Sequence, residues 1–379
     1  LYKRGIAMNT TRRGFLLTAA GAMLAASLPR LVQAYAMDKN EEKEDALGRN
    51  DAIKLLDAEE RAMLDLASRA PSGHNTQPWS LRIDGPGKWT IGTERSRWLP
   101  AVDPGNHDTM LSMGAFIENL SIAAGIYGRR LEYRVIAKGP RDTALIEARI
   151  GRGAVVEYPA ARIRMRRTLR NRLMTSEIGA ADLAEVTGSD ARFQYFPRLS
   201  PVGRYLSEAT LEANRTQTWR DEAQQELAEW IRWSKDEQRR YRNGLTPASM
   251  EITGIAGWYV GTFFNRQSVL EKSFREQGIA IAKKQVENCG GWIVLTADGN
   301  APAALIDAGR AFQRMGLLLR EKSMAVHPMT QALQEVPWKG EIASRLGVKT
   351  VGMLLRVGYV KSYPGPVSLR MPLERFVSA

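Results

Sequence analysis

Arg69-Ala70-Pro71-Ser72-Gly73-His74-Asn75-Thr76-Gln77-Pro78-Trp79 is a short polar loop between two regular elements. Upstream, Asp57 with Glu60 three residues on forms a capping-box pattern, so an amphipathic helix leads into the loop. Downstream, Trp79-Ser80-Leu81-Arg82-Ile83 alternates as a strand does. Pro71 and Pro78 fix the backbone at both ends. Between them lie a hydroxyl, a glycine, an imidazole and two carboxamides. Backbone exposed at Gly73 and the paired donor and acceptor groups of Asn75 and Gln77 suit a planar heteroaromatic ring edged with N and O atoms. A plain solvated turn uses the same residue types, and composition by itself favours that turn.

The chain around this loop has ordinary globular composition: 379 residues, 44% hydrophobic and 25% charged. That is enough for a sizeable core and one or two domains. The formal net charge is +13. A positive excess attracts an anionic cofactor, anionic lipid or nucleic acid. The basic residues do not interleave with aromatics in a stripe, which speaks against nucleic acid. A single cysteine, Cys289, excludes an intrachain disulfide and multi-thiolate metal centres. His74, His107 and His327 are too far apart for a ligand pattern, so no metal is expected. For His74 and His107 a surface or hydrogen-bonded role is expected rather than catalysis.

At the front, Thr11-Arg12-Arg13-Gly14-Phe15-Leu16-Leu17 leads into an apolar run ending at Leu28, and Ala34-Tyr35-Ala36 is a small-x-small cleavage site. Residues 1–36 read as a signal peptide, and the run is short for a membrane span. The paired arginines followed by Phe15-Leu16 resemble a twin-arginine signal. That resemblance implies export in folded form by the twin-arginine translocase, to a periplasmic or otherwise exported location. Residues 37–50 are polar and read as a linker.

After the loop, Trp79–Ile83, the Gly85-Pro86-Gly87 turn and Trp89–Thr93 read as a hairpin. Asp108–Tyr127 reads as a helix, with Met113, Phe116, Ile117, Leu120, Ala124 and Tyr127 on one face and Gly128 as its cap. Gly114 and Ala115 inside it leave room for a second helix. Strands are expected at Leu131–Ile136 and Ala144–Ile150. Further on, residues 206–242 read as largely helical, with Trp219, Leu227, Trp230 and Ile231 along a packing stripe. Residues 251–275 are rich in glycine and aromatics, including Trp258, Tyr259, Phe263 and Phe264, and read as a lid or a buried connection. Gly291–Ala297 reads as a buried strand. Pro302 opens a helix whose Leu305, Ala308, Phe312, Met315 and Leu319 face inward. That helix is expected to pack on Asp108–Tyr127, and the shared pattern hints at an internal repeat. Val351–Val360 is a further apolar strand.

Between these halves Arg162, Arg164, Arg166, Arg167, Arg170 and Arg172 crowd around Thr168. A solvated basic surface is one reading. A phosphate grip is the other, because two guanidiniums and a hydroxyl can saturate a phosphate's oxygens. The register through Arg166, Thr168 and Arg170 competes with one that uses Arg172.

Pro71-Ser72-x-x-Asn75-x-Gln77-Pro78-Trp79 resembles the flavin-contacting loop of the nitroreductase family, whose members bind FMN. Arg166-Arg167-Thr168-Leu169-Arg170 resembles that family's Arg-x-Ser/Thr-x-Arg/Lys phosphate segment. The ending after Gly358-Tyr359 resembles its basic C-terminus, with Arg370 as candidate and Lys361 as alternative. Asp103-Pro104, Gly114-Ala115 and Asn119-Leu120 are similar to the branch in which two halves are fused. In that branch position 107 is commonly Arg, whereas this chain has His107.

The resemblance implies an α+β fold with a central mixed sheet flanked by helices. It implies a single-chain pseudo-dimer of residues 51–160 and 161–379 sharing one flavin site. FMN would be held by Pro71, Ser72, Gly73, Asn75, Gln77, Arg166, Thr168, Arg170 and Arg370. The flavin would carry hydride or electrons to a nitro, quinone or similar small-molecule acceptor, with NAD(P)H or a redox partner as donor and no catalytic side chain of its own. Two alternatives are a protein that sequesters flavin without turnover and a scaffold that binds none.

Overall fold

A computed structural model describes residues 51–379; the expected signal and linker lie outside the described residues. The alternating stretch after the loop is strand β1 (Trp79–Gly85), antiparallel to β2 (Lys88–Thr93), with Trp79 opposite Thr93 and Ile83 opposite Trp89. Trp79 and Leu81 point inward and are buried, while Ser80 and Arg82 point out, so period two sets the register. Arg129–Val135 (β3) and Ala144–Arg152 (β4) extend the sheet through the β2–β4 pair.

The second half builds its own sheet from β5 (Phe193–Pro197), β6 (Gly291–Ala297), β7 (Met324–Pro328) and β8 (Thr350–Tyr359), all antiparallel. The first sheet runs β3-β4-β2-β1 and the second β7-β8-β6-β5. The strand order is therefore the same in both. Each also has one long helix between its second and third strands, His107–Ile126 in the first and Pro302–Leu318 in the second. The two stretches thus share one strand order and one helix position. At the C-terminus β9 (Val377–Ser378) crosses back and adds in parallel to β1, pairing Val377 with Leu81. The described residues thus hold two sheets, one mixed and one antiparallel, in place of the expected single central sheet. The fold class is α+β, as expected.

One core joins the inner face of the first sheet, both long helices and one face of the second sheet. Trp79 stacks on Phe116 at 5.3 Å between ring centroids, and Phe376 meets Phe116 edge-on at 6.4 Å. The two helices touch backbone to backbone. A Cβ at Gly114 would lie 2.0 Å from the Ile306 carbonyl oxygen, and one at Gly309 would lie 2.1 Å from that of Leu111. The small residues read as a crossing point are that crossing. The His107–Ile126 helix is long and apolar enough to cross a membrane, yet 78% of its apolar window is buried, so it serves as core.

The second sheet differs in being covered on both faces. Ile293, Leu295 and Leu355 face the long helices, while Trp292, Val294 and Leu354 face a second core with Leu206, Ala209 and Ile342. This is why β6 reads as a continuous apolar run and β1 as an alternating one. The stretch expected as largely helical over 206–242 is three helices, Pro201–Trp219, Asp221–Trp230 and Lys235–Tyr241. Extended backbone at Arg220 and Ile231 separates them, so the expected tryptophan stripe is broken.

Candidate functional site

The loop of residues 71–77 is held by distant parts of the chain. Asn75 Nδ2 donates to Gly244 O at 3.0 Å and Leu369 O at 3.1 Å, and its Oδ1 accepts from Arg370 Nη1 at 2.9 Å. Gln77 Nε2 donates to Arg242 O at 3.1 Å, and its Oε1 accepts from Met371 N–H at 2.9 Å. Ser72 Oγ accepts from Gln77 N–H at 2.9 Å. His74, Asn75 and Gln77 all have positive φ (46°, 54° and 54°), an unusual state for residues with side chains. Three such residues in one loop persist only because these staples over-determine the backbone.

Two adjoining cavities open beside the loop. The first, about 100 Å³, is walled by Arg69, Arg164, Arg166, Arg167, Arg170 and Arg370, with Thr168, Ser72 and Asn75, and no carboxylate lines it. The second, about 270 Å³, is more apolar: Leu99, Val102, Leu111, Phe312, Leu245 and Met353 lie on its wall, with Asp108 its one acidic residue. Pro71, Ser72, His74, Thr168, Arg170 and Leu245 border both. Gly73 faces the second, where a Cβ would stand 3.0 Å from Leu99 Cδ1.

The arginines differ in how far they are already used. Arg370 spends four contacts on the protein: Asn75 Oδ1, Leu369 O, Arg69 O and Ala70 O, at 2.7–3.3 Å. Only its Nε is unpartnered. Arg170 donates to Ser249 O at 2.7 Å, and its backbone N–H donates to Glu251 at 3.1 Å. The buried Arg356 donates to Arg170 O from the strand behind. The Arg166 guanidinium has no hydrogen bond or ion pair among the described residues, and its Nε is buried and orphaned. Thr168 Oγ1 likewise has no hydrogen-bond partner among them.

Burial holds the Arg166 and Arg170 guanidiniums below the usual arginine range. Burial, then Arg166 and Arg69, bring Arg370 down to about 9. Buried positive charge with few counter-charges favours an anion in the cavity. Burial and then Arg170 pull the His74 imidazole to about 4, so it is neutral at pH 7. His327, on the wall of the second cavity, is lowered well below its ordinary value by burial, Arg356 and Arg170.

The residues expected to act together are thus partly assembled. Pro71, Ser72, Gly73, Asn75, Arg166, Thr168, Arg170 and Arg370 line the cavities, but Gln77 lines neither. It is fully buried as a staple, as its hydrogen bonds require. Asn75 has both donors and its acceptor committed to protein, so it holds the loop rather than offering a free edge. Arg370 is chiefly a loop clamp. Arg172 and Lys361 line neither cavity, whereas Arg166, Thr168 and Arg170 line the first. Residues 251–275 line neither cavity, so the expected lid does not cover it. His107 lies elsewhere, its Nε2 donating to Gly352 O at 3.0 Å, the hydrogen-bonded role expected of it.

Sequence reasoning passed over Arg69, which sits in the quoted loop, and Gln331, whose buried Oε1 has no donor at the wall of the second cavity. Arg69 was legible as one more cation beside the loop. Nothing local marks Gln331. No protein-family model matches the chain, and no curated protein matches it.

The staple role gives a stability prediction. Gln77→Ala leaves the buried Met371 N–H and the part-buried Arg242 carbonyl without their side-chain partner. Each orphaned group costs about 1–3 kcal/mol, so urea unfolding should show a loss of roughly 2–4 kcal/mol. A loss under about 0.5 kcal/mol, the surface-substitution range, would mean that the staple does not hold the loop.

Proposed function

We propose that the chain is an FMN-binding oxidoreductase of nitroreductase type, built as a single-chain pseudo-dimer with one shared site. The observation that carries the reading is the half-buried Arg166 guanidinium, its Nε buried and without a partner, in a wall of six arginines beside an apolar cavity. A phosphate supplies the acceptors this wall lacks, and a flat apolar ring suits its neighbour. The matching strand orders support the pseudo-dimer. The loop at 71–74 belongs to the first repeat and the Arg166–Arg170 segment to the second.

In this reading Arg166, Thr168 and Arg170 hold the phosphate, while Arg370 clamps the loop beside it and adds its charge. Pro71, Ser72 and Gly73 border the ring cavity and orient what lies in it. Leu99, Leu111, Phe312 and Met353 exclude water. FMN, when bound, supplies two-electron chemistry towards a nitro, quinone or similar acceptor. His74 and His327 stay neutral at physiological pH, each able to donate one hydrogen bond, and no side chain is assigned as acid or base. The donor is NAD(P)H or a redox partner. Export through the twin-arginine translocase rests on residues 11–36.

The test is an absorption spectrum of residues 37–379, then acid release of any chromophore. The expected result is twin near-ultraviolet and blue bands, with FMN released at near one per chain and reduced on addition of a donor. A colourless protein that takes up no added FMN would remove the flavin reading, and flavin without turnover would favour sequestration.

A further inference from the structure

The helix Gly254–Phe263 reverses the usual pattern of a soluble helix. Its sequence, Gly-Ile-Ala-Gly-Trp-Tyr-Val-Gly-Thr-Phe, has no charge, and no residue in it is buried. Val260 and the following Phe264 pack inward on the Trp233 cluster, Phe264 meeting Trp233 at 5.4 Å between ring centroids. The opposite side carries Ile255, Trp258, Tyr259 and Phe263, exposed at 86%, 64%, 52% and 58%. Their three- and four-residue spacing puts them on one face. An amphipathic helix normally turns that stripe to the core. Here the stripe points to solvent, and isolated exposed apolar residues need no explanation but a contiguous aromatic patch does.

We infer that this helix seats the protein on the surface of an anionic lipid bilayer. Tryptophan and tyrosine are side chains that settle at a membrane–water boundary, and exposed Ile255 and Phe263 add apolar depth. Ten residues of helix rise only about 15 Å, half a hydrocarbon core, so the helix lies in the interface and does not span. The neighbouring chain is basic: the exposed helix Lys235–Tyr241 follows Trp233, on whose cluster this helix packs, and Arg266 lies just past its end. Between 235 and 266 the exposed ionisable residues are Lys235, Arg239, Arg240, Arg242 and Arg266 against Asp236. Residues 37–379 carry +8 of the chain's +13. Basic residues beside an apolar stripe add attraction to anionic headgroups. The inference does not depend on the flavin reading, since none of these residues lines either cavity.

Residues 37–379 keep the whole compact unit, Ala52–Ala379, and omit the apolar run 14–28, which would bind lipid by itself. This chain is sedimented with phosphatidylcholine vesicles, with and without phosphatidylglycerol. The wild type is expected to pellet with the mixed vesicles. Ile255→Ser with Trp258→Ser and Phe263→Ser should cut the bound fraction roughly tenfold or more. Arg239→Gln with Arg240→Gln should weaken the dependence on phosphatidylglycerol. All five side chains are exposed, so circular dichroism and melting should be unchanged in both variants. Wild type left in the supernatant, or a triple serine variant that pellets equally, overturns the proposal. Self-association without lipid that the triple variant abolishes also overturns it, by making a second copy the occupant.

Discussion

Arg166→Ala should weaken FMN binding roughly ten- to 150-fold, while the flavin-free protein becomes no less stable than wild type. The first half follows from losing hydrogen bonds to a charged group, worth about 1.5–3 kcal/mol. The second half follows from what Arg166 lacks. Its guanidinium is half-buried without an acidic partner, so removing it leaves no protein acceptor orphaned and relieves a partly desolvated, uncompensated charge. Opposite signs for affinity and stability mark a residue kept for a ligand rather than for the fold. Adding Arg170→Ala should bring the loss to about 3–6 kcal/mol and yield flavin-free protein. That second change also breaks the bond to Ser249 O, so it lowers stability as well. Titration of FMN into each apoprotein, with a thermal melt of the same samples, separates the two effects. An Arg166→Ala protein that binds FMN as wild type does would remove the phosphate grip, and with it the carrying argument for the proposed function.

What the sequence made legible was local. The hairpin at Trp79–Thr93, the buried strand Gly291–Ala297 and the two long helices follow from periodicity within a few turns of chain. The crossing of those helices was also readable, because Gly114 on one announces a close approach. That Arg166, Thr168 and Arg170 would share one cavity was readable too, since alternate positions of one short extended segment point the same way. The duties of Asn75 and Gln77 were not readable. Their partners lie 165–295 residues away, and a carboxamide bears no mark of whether it will meet a ligand or the protein itself.

Residues 251–275 fail for a different reason. Periodicity shows which residues share a face but not which way the face points, and the Gly254–Phe263 stripe points out. The single expected sheet became two for a related reason. Strand patterns give faces, and the choice of pairing partner is made by the long helices that occupy the core between repeats.

Gly309→Ala should destabilise the fold by about 3 kcal/mol or more, although alanine is the better helix former by about 1 kcal/mol. The new methyl would stand 2.1 Å from Leu111 O and 2.8 Å from Leu111 Cα. Backbone atoms cannot rotate away as a side-chain tip can, so the helices must part. Parting them loosens the core that joins both sheets and moves Leu111 and Phe312, which face the apolar cavity from opposite helices. Ligand affinity should therefore fall together with stability, unlike Arg166→Ala, where the two diverge. Gly278→Ala is the matched control. It lies in the helix Lys272–Glu287 with nothing within 4 Å of its added Cβ, so the same substitution should be neutral or stabilising by up to about 1 kcal/mol. Urea unfolding of both variants gives the comparison. Equal midpoints would mean that the helices do not cross at Gly309, and the helix contact on which the proposed shared site depends would have to be sought elsewhere.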